Sequence, residues 1–241
     1  MLNWFPGHMN TARREIRKAM PKTDLVIELL DARIPFSSEN PLVTKLRGDR
    51  PCIQILNKVD LADPDVTAEW LAVIEARDGV LAMTHEQNQP ELNQRLLHRV
   101  RALVPTKGAR PVAAMILGIP NVGKSTLINA LSGRAIAKTG NKPAITKHQQ
   151  RVRIGKDLVL WDTPGFLWPR LSPVACGYRL AVTGAISDRV VETQDIARFA
   201  VGFLVGRYPD RLIQQYGLTE LPEGEMAVLE AIGRRRGFLR K

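Results

Sequence analysis

The chain has 241 residues, 44% of them apolar and 24% charged, and carries a formal net charge of +11. These proportions exclude a disordered, fibrous or disulfide-scaffold protein and allow one large domain or a main domain with a smaller one attached. Only Cys52 and Cys176 are present, without the companion spacing of a zinc site. No apolar run approaches the roughly 18 residues of a membrane span, and the start lacks the apolar stretch of a secretory signal. A cytoplasmic, soluble protein with no membrane partner is therefore expected.

Short apolar runs alternate with longer helix-compatible stretches, the pattern of strand, crossover helix and parallel strand. In chain order, strands are predicted at Leu25 to Leu30, Cys52 to Leu56, Val80 to Met83, Val112 to Leu117, Arg151 to Ile154 and Leu158 to Trp161. Asp63-Pro64-Asp65 reads as a helix start, with Trp70, Leu71 and Ile74 as its apolar stripe. Leu92, Leu96, Val100 and Leu103 recur at helical spacing. Residues 105–111, rich in Pro and Gly, read as a connector between two halves of one sheet. After Pro169 and Pro173 no strong strand run appears, while Val190 to Val205, Pro209 to Tyr216 and Met226 to Ile232 look helical. The expected organisation is an α/β domain over residues 1–170 and a small all-α domain over 171–241.

Charge is unevenly placed. Residues 111–170 hold 9 basic and 2 acidic side chains, so +7 of the +11 lies there. Arg134, Lys138, Lys142, Lys147, Arg151, Arg153 and Lys156 face only Asp157, and Arg234, Arg235, Arg236, Arg240 and Lys241 close the chain. Such clustering points to a polyanionic partner.

Three motifs carry chemistry. Gly118-Ile119-Pro120-Asn121-Val122-Gly123-Lys124-Ser125 follows a predicted strand and, from Thr126 on, precedes a predicted helix, the context a phosphate-binding loop requires. Its N–H groups and helix start converge on phosphates, Lys124 neutralises the outer ones, and Ser125 ligates Mg²⁺. Asn121, Val122, Gly123 and Thr126 complete the cradle. Asp162-Thr163-Pro164-Gly165 ends another predicted strand. There Asp162 can hold the metal and Gly165 N–H can meet the γ-phosphate, while Thr146 in the intervening basic loop can complete the Mg²⁺ shell. Asn57-Lys58-Val59-Asp60 is the base-reading signal, because a carboxylate at Asp60 accepts from guanine N1–H and the 2-amino group. Adenine offers neither donor, and each lost charge-assisted bond costs about 1.5–3 kcal/mol. GTP and GDP are the expected ligands.

The order is inverted relative to typical small GTPases: Asp60 precedes Gly118. A parallel sheet tolerates this if a connector joins the former ends, and residues 105–111 can serve. The fold expected is thus a P-loop GTPase-type, mostly parallel sheet in circularly permuted order, followed by helices.

With these motifs in that order, and with Asn3-Trp4-Phe5-Pro6-Gly7-His8-Met9, Asp31-Ala32-Arg33-Ile34-Pro35 and Leu167-Trp168-Pro169, the chain resembles the circularly permuted ribosome-biogenesis GTPases of the YlqF/RbgA type over nearly its whole length. The resemblance implies binding to a late precursor of the bacterial large ribosomal subunit and its rRNA, GTP hydrolysis there, release afterwards, and RNA-binding C-terminal helices. It also implies a K⁺ ion held partly by Asn121, and His8 as a catalytic group reaching the γ-phosphate region.

Two positions depart from the family pattern. Met83-Thr84-His85-Glu86 stands where a Ser-rich loop supports the guanine, so Thr84 and His85 are assigned to that wall. Pro143-Ala144 replaces a Pro-Gly. Phe166 occupies the place where many relatives of small GTPases put a water-orienting Gln, so slow unaided turnover is expected of a monomer. The competing reading is a GTP-regulated rRNA-binding scaffold in which hydrolysis is incidental.

Overall fold

The computed structural model describes residues 7–86, 89, 91–105, 110–136, 150–187 and 192–239. It divides into two compact units between Leu171 and Ser172.

The first unit is built on six strands: β1 (Leu25–Asp31), β2 (Cys52–Asn57), β3 (Val80–His85), β4 (Val112–Gly118), β5 (Gln150–Ile154) and β6 (Leu158–Asp162). They form one sheet in the order β3-β2-β1-β4-β6-β5. All neighbours are parallel except β5 and β6. The near-continuous apolar runs predicted this, since strands covered on both faces bury every side chain. Every residue of β1 and of β2 is buried.

Six helices accompany the sheet: α1 (Gly7–Ala19), α2 (Pro35–Ser38), α3 (Pro41–Arg47), α4 (Pro64–Glu75), α5 (Leu92–Leu103) and α6 (Lys124–Ser132). The Asp63 carboxylate accepts from Asp65 N and Val66 N, capping α4 as its sequence signalled, a contribution of about 1 kcal/mol. The α4 stripe is graded: Ile74 is buried, whereas Trp70 and Leu71 are only half-buried. On α5, Leu92, Leu96 and Val100 face the core.

Strand order places the reversal of winding between β1 and β4, the place where open parallel sheets bind ligands. At the opposite, N-terminal ends of β1 and β4, the described end of the connector is tied down. Arg110 donates twice to the Asp24 carboxylate, at 2.8 Å each, and Ala113 N donates to the same group at 2.8 Å. The Arg110 guanidinium is the main reason that the Asp24 carboxyl lies below its usual range.

The second unit contains α7 (Val174–Val182), α8 (Thr193–Arg207), α9 (Pro209–Tyr216) and α10 (Glu225–Arg235). Val201, Leu212 and Val228 form its core, with Leu204, Val205, Tyr216, Leu221, Leu229 and Ile232 packed around them. The sequence pattern starts the long helix at Val190, which lies outside the described residues; the described helix starts at Thr193, with Asp195 in its first turn. The pattern does not resolve α7 at all.

Candidate guanine nucleotide site

Each parallel strand runs past its apolar stretch, and the added residues bear the chemistry. β1 ends on Asp31, β2 on Asn57, β3 on His85, β4 on Gly118 and β6 on Asp162. Gly118, Asp31, Asn57 and His85 therefore share one end of adjoining strands, and Asp162 ends the strand on the other side of β4.

The phosphate loop leaves β4 at Gly118 and enters α6 at Lys124. Gly123 sits at φ 104°, and a Cβ there would collide with the Asn57 side-chain amide. Glycine is thus needed both for the turn and for the approach of the base-reading segment. Lys124 is buried and donates to the carbonyls of Gly118 and Ile119 at 3.1 and 2.8 Å. Val122 is buried, Ser125 half-buried, and Thr126 exposed on the first turn of α6.

Asn57 joins the early and late segments. Its Nδ2 donates to Val122 O at 2.6 Å across 65 residues. Its Oδ1 meets His85 Nδ1 at 2.6 Å, and since that oxygen only accepts, His85 carries its proton on Nδ1. Burial, then the neighbouring Arg95, lowers the His85 pKa and favours the neutral ring. His85, assigned from sequence to the base-pocket wall, is 3% exposed and bonded to Asn57. It orients the base-reading segment from behind. Thr84 is half-buried and accepts a long 3.5 Å bond from Arg95.

Lys58 makes a second bridge that the sequence did not show. In a left-handed conformation (φ 63°), it donates to Asn121 O at 2.9 Å and to Asp31 Oδ2 at 3.0 Å. Asp31 is buried and also receives Arg33 Nε at 2.8 Å and Nη2 at 2.6 Å. Burial pushes its carboxyl upward, but Arg33 and Lys58 outweigh this and hold it below the usual range. The only sequence signal was Asp31-Ala32-Arg33 at the end of an apolar run. Asp60 is exposed next to this cluster, free to meet a base edge.

The metal-sensing segment reaches the same place. Thr163 Oγ1 donates to Ile116 O of β4 at 2.6 Å. A Cβ on Gly165 would stand 2.7 Å from Pro120 Cα and 3.0 Å from Lys124 Nζ, so this segment lies directly on the phosphate loop. Asp162 is fully buried, and among the described residues no side chain hydrogen-bonds its carboxylate; only the adjoining Thr163 N–H approaches it. A buried carboxylate so poorly satisfied is costly unless a cation is to be bound. Burial raises its pKa, the positive Lys124 opposing, while burial lowers that of Lys124. Asp162 and Ser125 are thus suited to hold Mg²⁺ with its waters. Asn121 lies in the loop at φ 56°. Thr146 and the His8 side chain lie outside the described residues, as does Pro143-Ala144. Phe166 is fully buried and offers only its carbonyl, to Asn40 Nδ2 at 3.1 Å.

The Asn57-Lys58-Val59-Asp60 segment from the front of the chain and the phosphate loop from its middle are thus brought together. Comparison with known proteins shows the family. Residues 113–205 match the family model described as "50S ribosome-binding GTPase". Ribosome biogenesis GTPase A of Priestia megaterium is 46% identical over 99% of this chain and 86% of its own length. The chain belongs to the ribosome biogenesis GTPase A family. The Bacillus pumilus member is 47% identical, over 99% of this chain and 87% of its own. Mitochondrial ribosome-associated GTPase 1 of Ictalurus punctatus is 35% identical, over 98% and 78%. The GNP-bound crystal structure of YlqF from T. maritima superposes with a TM-score of 0.61 at 25% identity, covering 94% of each chain. As a ribosome biogenesis GTPase A family member, the chain is a P-loop GTPase with its sheet in circularly permuted order.

Proposed function

We propose that this GTPase binds a late precursor of the large ribosomal subunit in its GTP state, through protein and rRNA contacts, and leaves when GTP is hydrolysed. The observation that carries the guanine-nucleotide part is the Asn57 to Val122 bond, which makes one site of two distant motifs. The names of the relatives, ribosome biogenesis GTPase A and mitochondrial ribosome-associated GTPase 1, support the ribosomal part. The protein acts as a monomer in the cytoplasm; among the described residues no helix is long and apolar enough to cross a membrane.

The chain's own groups divide the work. Asp60 selects guanine, with Asn57 and Lys58 fixing its loop against the phosphate loop. Lys124 and the N–H groups of residues 121–126 hold the phosphates and oppose charge that grows on them. Gly165 N–H would meet the terminal phosphate, and Ser125 and Asp162, with Thr146, would hold the metal. Bound Mg²⁺ would supply neutralisation of the charge on the triphosphate. Phe166 is locked in the core, so no side chain directly after the switch glycine positions water. His8 is the chain's own group for that role; a K⁺ held partly by Asn121 would add positive charge beside the phosphates, and ribosomal contact would complete the arrangement.

Sedimentation with precursor particles tests this: co-sedimentation with a non-hydrolysable GTP analogue and loss with GDP are expected. Hydrolysis should accelerate on adding particles and on exchanging Na⁺ for K⁺. Equal rates with and without particles would overturn the proposal.

A further inference from the structure

Past His8 at its start, the first helix carries residues that the nucleotide site does not use, and its two faces differ sharply. Between Asn10 and Lys22 the sequence holds Arg13, Arg14, Arg17, Lys18 and Lys22 against one acid, Glu15. Ala12, Ile16, Ala19 and Met20 are all buried against the rest of the protein. Asn10, Thr11, Arg14, Arg17, Lys18 and Lys22 are exposed. At 100° per residue, residues 10, 11, 14, 17 and 18 fall on one stripe opposite the buried one. Among the described residues, none of Arg14, Arg17, Lys18 and Lys22 takes part in an ion pair.

We infer that this stripe is an RNA-docking surface that grips phosphates, contributed by the GTPase unit itself. The inference rests on the rRNA-binding reading above and names a surface for it. The apolar face that a membrane-surface helix would insert is already consumed by the core, which argues against lipid. The exposed stripe holds no aromatic or aliphatic anchor of the kind that dominates protein interfaces. It offers cations flanked by an amide and a hydroxyl, the side chains that contact phosphate and sugar. Arg14 and Lys18 are one turn apart, about 5–6 Å along the surface, so they can meet neighbouring phosphates of one strand. Arg17 widens the row.

The test is the full chain with a non-hydrolysable GTP analogue bound and a 20-base-pair RNA duplex as probe, titrated at several salt concentrations. The comparison is R14A/R17A/K18A. Three lost phosphate contacts should lower the slope of log K against log salt by about 2–3 and weaken binding at least tenfold at moderate salt. GDP affinity and melting temperature should be unchanged. An R14K/R17K variant, which keeps the charge, should recover most of the slope. An unchanged slope in the triple variant would overturn the inference, as would poly-glutamate binding as tightly as the duplex with the same dependence on these residues. Failure of the wild type to sediment with large-subunit precursor would count against the ribosomal function instead, because the duplex titration reads the stripe on its own.

Discussion

Asn57 and Val122, 65 residues apart, are held by a 2.6 Å hydrogen bond from side-chain amide to backbone carbonyl. This bond fixes the base-reading loop against the phosphate loop, and His85 holds the other end of the amide. We predict that Asn57→Ala leaves two buried polar groups unpaired. It should cost about 2 kcal/mol of stability and weaken GDP binding about tenfold or more. Denaturant unfolding and calorimetry would read the two effects, and wild-type values in both would show that the bond is dispensable.

Base choice is assigned to Asp60, which is exposed beside that bond. In Asp60→Asn an amide donor replaces one acceptor, so the 2-amino group of guanine is met by another donor and the 2-oxo group of xanthine is satisfied. GDP affinity should fall about a hundredfold while XDP binding improves. Unaltered preference for GDP would place base selection elsewhere.

Asp162 is buried with no side-chain hydrogen-bond partner among the described residues and stands beside the phosphate lysine. Asp162→Asn should slow GTP hydrolysis by about a hundredfold or more and raise the magnesium concentration it needs. Removing magnesium with EDTA should slow the wild type comparably. A variant with the wild-type rate and the wild-type magnesium requirement would show that the metal is held by other groups alone.

Away from the site, Glu28 is buried in β1, accepting from Asn40 N at 3.2 Å and Gln54 Nε2 at 2.9 Å. Burial raises its pKa from 4.5 to about 7. Between these values the folded protein keeps a proton that the unfolded chain has released. Stability contributed by this group is therefore full below about 4.5 and is lost as pH rises to about 7, by about 3 kcal/mol. Glu28→Gln should remove this slope. The same slope in both proteins, measured by urea unfolding from pH 4.5 to 7.5, would refute the assignment.

The six strands and their covered sheet were legible because each is a short apolar run between helix-compatible stretches. The ends of the strands were not, because the terminal residues are polar and hydropathy stops short of them: Asp31, Asn57, His85 and Asp162 all lie beyond the predicted runs. Glu28 was hidden for the opposite reason, enclosed in Leu25 to Leu30. The motifs announced the phosphate, base and metal elements. What they could not announce is how these elements are joined. The Lys58 bridge to Asp31 and Asn121, and the His85 bond to Asn57, run between segments with no shared pattern. In the second unit, Gly177 and the preceding Pro173 masked α7 (Val174–Val182), whose burial of Cys176 and Leu180 comes from tertiary packing.

The central claim is that an early carboxylate and a later phosphate loop serve one purine. Calorimetric titration of the full chain with GDP and ADP, in magnesium and potassium, tests it most directly. The account predicts one GDP per chain, bound at least a hundredfold more tightly than ADP, and loss of that margin in Asp60→Asn. Equal affinities for the two nucleotides in the wild type would contradict it.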